Sequence, residues 1–165
     1  MRSIEIEELV ELADSDPGCS VLAPAGGPGI DPPLRVPDDL SRFYELCGGT
    51  ELFLTEDYGI TILPPSRLVS SNIVMFGERY PDDITSTWFT VGETPDSDYV
   101  SIDLSPERNG RCYDSFHETH GLVGSSPIIA ESFSQLLERF LRSRGGRWYW
   151  LCDDFMPIGD AYDSI

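Results

Sequence analysis

Cys112, Asp114, His117, Glu118 and His120 fall within one short segment, and thiolate, carboxylate and imidazole are the usual ligands of zinc. The spacing does not support that chemistry. A metalloprotease helix carries histidines at i and i+4 with a glutamate between them, whereas His117 and His120 are closer than that and Gly stands at position 121. The segment follows strand-forming residues and precedes Gly121 and Gly124, so it reads as a polar loop in which His117 caps backbone groups. Nucleophilic catalysis has no better footing, because no motif sets a base beside any of the Ser or Cys residues. All 11 basic residues are Arg, and the absence of Lys removes Schiff-base chemistry, P-loop phosphate binding and any lysine base. No residue is assigned a catalytic, metal-binding or cofactor-binding role, and the chain is not expected to be an enzyme.

The remaining candidates are carboxylates. Against the 11 Arg stand 29 Asp and Glu, and the net charge of −18 repels nucleic acid phosphates and anionic membrane surfaces. Asp57, Glu78, Asp82, Asp83, Glu93, Asp96 and Asp98 fall in or beside expected loops, where a meander of strands would gather them at the sheet ends. Tyr58, Tyr80, Trp88 and Tyr99 are candidate aromatic anchors at the rim or centre of that surface, although Trp88 fits the core better. Such a surface would attract a protein with a basic groove and occupy its Arg and Lys by competition. A purely solubilising face is the alternative that the residues leave open. Arg139, Arg142, Arg144 and Arg147 read as compensation at a helix end and local ion pairing.

The elements that must position these groups follow from periodicity. Ile6, Leu9, Val10 and Ala13 make one helical face, with Ser3 as its cap. Pro37, Asp38 and Asp39 open a second helix, whose buried face is Leu40, Phe43, Tyr44 and Cys47 and which ends at Gly48-Gly49. Leu52–Leu54 and Ile60–Ile62 alternate as a hairpin, and Pro64-Pro65-Ser66 opens a short helix through Val69. Trp88–Val91, Tyr99–Leu104 and Arg111–Phe116 read as strands, with Asn109-Gly110 turning between the last two. A long amphipathic helix carries Ile129, Phe133, Leu136, Leu137, Phe140 and Leu141, and Trp148 and Trp150 share one face of a terminal strand.

These elements predict a single α+β domain over residues 1–165: a twisted, mainly antiparallel sheet, a mixed one being left open, with helices packed on it. Its core spans about 36–151; residues 17–36 form a Pro/Gly-rich connection and 153–165 an acidic tail. Cys19, Cys47, Cys112 and Cys152 are scattered and form no Cys-x-x-Cys pair, and Met1–Ala13 mixes acids with apolar residues where a signal peptide would be basic and then apolar. Reduced thiols and a cytoplasmic location are the expectation.

Two segments, in order, carry a family likeness: Val36-Pro37-Asp38-Asp39-Leu40 with Phe43-Tyr44 and Gly48-Gly49, then Trp88 with Gly92, Asp98-Tyr99-Val100 and Ile102-Asp103-Leu104. Pro106, Gly110, Tyr113, His117-Glu118 and Ile129-Ala130-Glu131-Ser132-Phe133 extend it, so that it runs from Val36 to Leu141. The chain resembles the SUKH superfamily, which includes Smi/Knr-type fungal regulators of cell-wall synthesis, Syd proteins and many bacterial immunity proteins. It departs from the family pattern where Cys47 precedes Gly48-Gly49 in place of Asn-Gly, and where Ser97 replaces a Gly. The resemblance implies a SUKH-like α+β fold and a non-enzymatic, protein-binding role. The expected role is that of an immunity protein, or antitoxin, which neutralises a cognate bacterial toxin, in one case a nuclease, as a monomer or weak dimer. The alternative is a regulatory or scaffolding domain that binds cellular proteins, as the fungal members do.

Overall fold

A computed structural model describes residues 4–163. Seven strands run in chain order across one sheet: β1 (Cys19–Val21), β2 (Thr50–Leu52), β3 (Ile60–Ile62), β4 (Trp88–Glu93), β5 (Tyr99–Asp103), β6 (Cys112–Ser115) and β7 (Ile128–Ala130). Every neighbouring pair is antiparallel, so the sheet is a meander with no mixed pairing. With α1 (Ile6–Ser15), α2 (Asp38–Leu46), α3 (Ser71–Phe76) and α4 (Phe133–Ser143), the fold is α+β, as expected.

The two faces of the sheet are built differently. Strand alternation sends Val100 and Ile102 of β5 to one side, together with Leu52, Ile60, Ile62, Val91 and Cys112. Against them pack Leu9 and Ala13 of α1, Leu40 and Phe43 of α2, and Leu136, Leu137 and Phe140 of α4. Asp39 joins two of these helices. Its Oδ1 accepts from Leu40 N (2.9 Å), and its Oδ2 accepts from Ser134 N and Oγ in the first turn of α4 (2.8 and 2.9 Å). A carboxylate at this position satisfies helix-end donors that would otherwise lie unpaired. Ser132 caps α4 directly, its Oγ accepting from Gln135 N at 3.1 Å.

The opposite face carries Trp88, Thr90, Ser101, Asp103, Tyr113 and Ser115, all buried. It is covered by α3, the turn Ile84–Thr87, the 116–126 loop and the chain's final segment. Trp88 stacks flat on Tyr113 with ring centroids 4.0 Å apart. Beside this pair runs a buried polar chain from Ser71 through Ser101 and Ser115 to His120, then through Asn72 and Thr85 to Asp83 and Tyr162. Asp103, the acid of the Ile-Asp-Leu motif, has no exposed side-chain surface. It accepts from Thr87 Oγ1 (2.7 Å), Ser105 N (2.8 Å) and Arg108 Nε (3.0 Å), fixing the turn into β6.

Several elements differ from the sequence expectation. Residues 17–36 contain an edge strand, β1, which exists through its ladder to β2. Ile129 belongs to β7, and α4 begins four residues later. Pro65–Arg67 form a 3₁₀ turn, and a separate helix, α3, starts at Ser71. Trp148 caps a 3₁₀ turn over Tyr149–Leu151 and Trp150 lies within it, so neither is on a strand. The turn into β6 spans more than Asn109-Gly110, closing through Gly110 N to Asp103 O. The last segment is tied to the β7 edge: Ile128 N donates to Gly159 O and Ala161 N to Ser126 O, each at 2.8 Å. Helix α2 closes on an extended Cys47; the next turn needs glycine at 49, where φ is 125° and a Cβ would meet Ile62 O at 2.6 Å. Ser97, where the family pattern has Gly, sits at φ 63° in the left-handed region. The expected Ser3 cap of α1 lies outside the described residues.

Candidate functional site

Beyond the helix-covered half of the sheet, three connections and a turn enclose a groove of about 610 Å³. Its walls are Leu54–Tyr58 without Thr55, Thr94–Asp98 without Ser97, Tyr99, Val100, Asp114 of β6 with Phe116 and Thr119 beyond it, and Trp148, Trp150 and Leu151. Five carboxylates converge there: Glu56, Asp57, Asp96, Asp98 and Asp114. The aromatic part is Tyr58, Tyr99, Phe116, Trp148 and Trp150.

The tryptophans are held rigidly. Their rings lie parallel, 5.4 Å apart at 7°, and Tyr58 meets Trp148 edge-on at 5.3 Å. Phe140 of α4 supports both indoles from below, and Tyr149, between them in sequence, turns inward to donate to Ile129 O at 2.6 Å. The β2–β3 connection reaches this turn because Gly145 has no side chain. Its φ is 73°, a Cβ there would meet Glu56 Cβ at 2.5 Å, and its carbonyl accepts from Tyr58 N at 3.2 Å.

Asp114 occupies the helix-side position of β6, paired with Val100. Its Oδ2 accepts from Trp150 Nε1 at 3.1 Å. Burial, aided by the neighbouring charge of Asp98, pushes its carboxyl up to about 6, against the pull of the Trp150 hydrogen bond. Asp98 Oδ1 accepts from both the backbone N (3.0 Å) and Nδ1 (2.9 Å) of His117, whose imidazole is held above its ordinary range by that bond. His117 thus receives support from a carboxylate; it is not the backbone cap expected of it.

Asp57, Tyr58, Asp96 and Asp98 therefore meet in one groove, as their placement in loops predicted, and Tyr99 joins them. Trp88 is buried in the core, and the other five candidates do not reach the groove. Glu93, paired across the ladder with Tyr99, is engaged by Arg67 and does not line the groove. Glu78, Tyr80 and Asp82 lie exposed on the connection after α3, where Tyr80 donates to Glu78 at 3.3 Å and packs edge-on against Phe76. Asp83 is used internally, accepting from Thr85 N (3.2 Å) and Tyr162 Oη (3.2 Å). Glu56, Asp114, Phe116, Trp148 and Trp150 complete the groove and were not among the candidates. The i, i+2 spacing of the two tryptophans and a carboxylate in phase with buried Cys112 were the available signals.

The apparent zinc cluster separates in space. His117 is exposed beside Asp98, whereas His120 is buried, its Nδ1 2.9 Å from Ser115 Oγ and its Nε2 2.8 Å from Asn72 Oδ1. Burial depresses His120 to about 4, so the ring is neutral and serves as a tie between α3 and β6. Ser115 and Asn72 are enclosed with it, which leaves a substrate no approach to this hydroxyl–imidazole–amide row. Among the described residues no group of three or more His, Cys, Asp or Glu is placed to hold a metal ion. None of their helices is long and apolar enough to cross a membrane.

Residues 33–139 match the SMI1 / KNR4 family (SUKH-1). The chain belongs to this family. The SUKH-1 match covers α2 through most of α4 and includes every groove carboxylate, while Trp148 and Trp150 lie beyond it. A second likeness is longer: the immunity protein YokJ of Bacillus subtilis (strain 168) is 41% identical over 162 residues, 98% of each chain.

Proposed function

We propose that this protein is a cytoplasmic immunity protein that binds a bacterial toxin and blocks it, without catalysis. The observation that carries the reading is the groove, where five carboxylates and two stacked indoles share one rigid recess. Likeness to an immunity protein along nearly the whole chain supports it. Aromatic anchors in a recess are typical of interface centres, and a strongly negative rim speeds encounter with a positive partner. A toxin whose substrate is nucleic acid has such a positive surface, so a nuclease domain is the partner that this electrostatics favours.

The test is co-expression with the protein encoded immediately upstream, taken as the candidate toxin. Rescue of growth, with a complex that co-purifies at low salt and whose association rate falls as salt rises, supports the reading. Toxicity unchanged by the protein, with no complex at low salt, refutes it. A scaffolding role through apolar contact predicts association that hardly responds to salt.

A further inference from the structure

Several carboxylates elsewhere in this molecule are paired with Arg. Arg35 pairs with Asp38, Arg42 with Glu7 and Glu45, Arg108 with Asp103, Arg142 with Glu138 and Arg144 with Asp16. The groove breaks that pattern, for no Arg lines it, and the one imidazole at its edge is occupied with Asp98. Asp114 is the sharpest case: a half-buried carboxylate whose partners, the indole N–H of Trp150 and the backbone N–H of Phe116, are both neutral. Burying a carboxylate without a counter-charge is costly, and a cation supplied by a ligand would relieve it.

The shape narrows the kind of cation. Trp148 and Trp150 lie parallel at 7°, with Tyr58 edge-on to the first. A guanidinium is flat, weakly hydrated, able to stack on an indole and to bind a carboxylate through two N–H groups at once, whereas an ammonium is a compact, strongly hydrated point charge. We propose that the groove receives an arginine side chain of the partner, its guanidinium lying along the indoles and paired with Asp114 and Asp98. About 610 Å³ also leaves room for the residues flanking that arginine, whose backbone N–H groups meet Asp57 and Asp96 at the rim. This occupant rests on the toxin-binding reading, but it has its own test.

The tripeptide acetyl-Gly-Arg-Gly-amide, and its lysine and citrulline counterparts, are titrated into the full chain while the indole N–H signals of Trp148 and Trp150 are followed by NMR. The arginine peptide is expected to shift both signals and to bind at least about fivefold more tightly than the lysine peptide, with citrulline weakest. Asp114→Asn and Asp98→Asn each weaken the arginine peptide about tenfold or more, while Asp38→Asn, remote from the groove, leaves it unchanged. Identical shifts from all three peptides, no shift at about 10 mM arginine peptide, or indifference to Asp114→Asn overturns the inference. The two readings separate cleanly. A toxin neutralised as well by the Asp98→Asn/Asp114→Asn protein as by the parent removes the arginine and keeps the immunity role. An arginine peptide bound by a chain that leaves the toxin untouched does the reverse.

Discussion

Replacing Asp114 by Asn is expected to make the protein more stable and less competent at once. The folded carboxyl titrates at about 6 against an ordinary value of 3.8, chiefly because it is buried. That displacement corresponds to about 3 kcal/mol against the charged form in the folded state. Asn matches the carboxylate in shape and retains an oxygen for Trp150 Nε1, so it removes the charge and little else. The sign follows from proton counting. Between pH 6 and 3.8 the folded chain holds a proton that the unfolded chain releases, so stability from this group rises as pH falls through that window. The variant should therefore exceed the parent by about 2–3 kcal/mol near pH 7.5, and by less than about 1 kcal/mol near pH 4. Urea unfolding at both pH values, followed by tryptophan fluorescence, measures it. A variant no more stable than the parent at neutral pH, or a gain that ignores pH, refutes the claim that this carboxylate lies desolvated without a counter-cation.

His120 provides the opposite slope: the unfolded chain takes up a proton between pH 6.5 and about 4 that the folded ring refuses, so stability from this group falls over that window, by up to about 3 kcal/mol. In the Asp114→Asn background that loss should appear on acidification, and adding His120→Ala should flatten it while costing about 2–4 kcal/mol at neutral pH, because Asn72 and Ser115 lose their partner. Asp39→Ala should cost about 1–2 kcal/mol by releasing the N–H groups of Leu40 and Ser134, whereas Asp38→Ala, whose side chain is exposed, should change stability by less than about 0.5 kcal/mol; denaturant midpoints compare the two. Ser97→Gly should stabilise by roughly 0.5–1 kcal/mol by relieving a left-handed serine, and a thermal shift in the same direction checks it.

What was legible in the sequence is what local pattern controls. Leu40, Phe43 and Tyr44 recur at helical spacing behind Pro37-Asp38-Asp39, and α2 stands there. Strands β1 and β7 were not legible: a three-residue strand shows itself only beside a hairpin turn, as at the β2–β3 hairpin, and Cys19–Val21 and Ile128–Ala130 adjoin no such turn and become strands through the neighbours they pair with. The second face misled in another way. Ser101 and Asp103 alternate with Val100 and Ile102, a pattern that ordinarily turns polar residues to water, but α3 and the 116–126 loop cover this face and satisfy its hydroxyls through Ser71 and His120. The groove was half legible. Loop position predicted Asp57, Tyr58, Asp96 and Asp98, whereas Asp114 and the tryptophans enter it through tertiary packing that joins the end of β6 to the chain beyond α4. Glu93 and Asp83 show the converse, acids that look free in sequence and are taken up by Arg67 and Tyr162.

Position against mere charge decides the central claim. Two proteins with equal loss of charge are compared in binding the proposed toxin partner: one with Asp57, Asp96, Asp98 and Asp114 changed to Asn, the other with Asp31, Asp38, Asp153 and Asp163 changed to Asn. The account predicts that the groove variant binds at least about a hundredfold more weakly and fails to protect cells, while the second stays within about threefold of the parent. Equal weakening of the two, or a groove variant that binds like the parent, contradicts it.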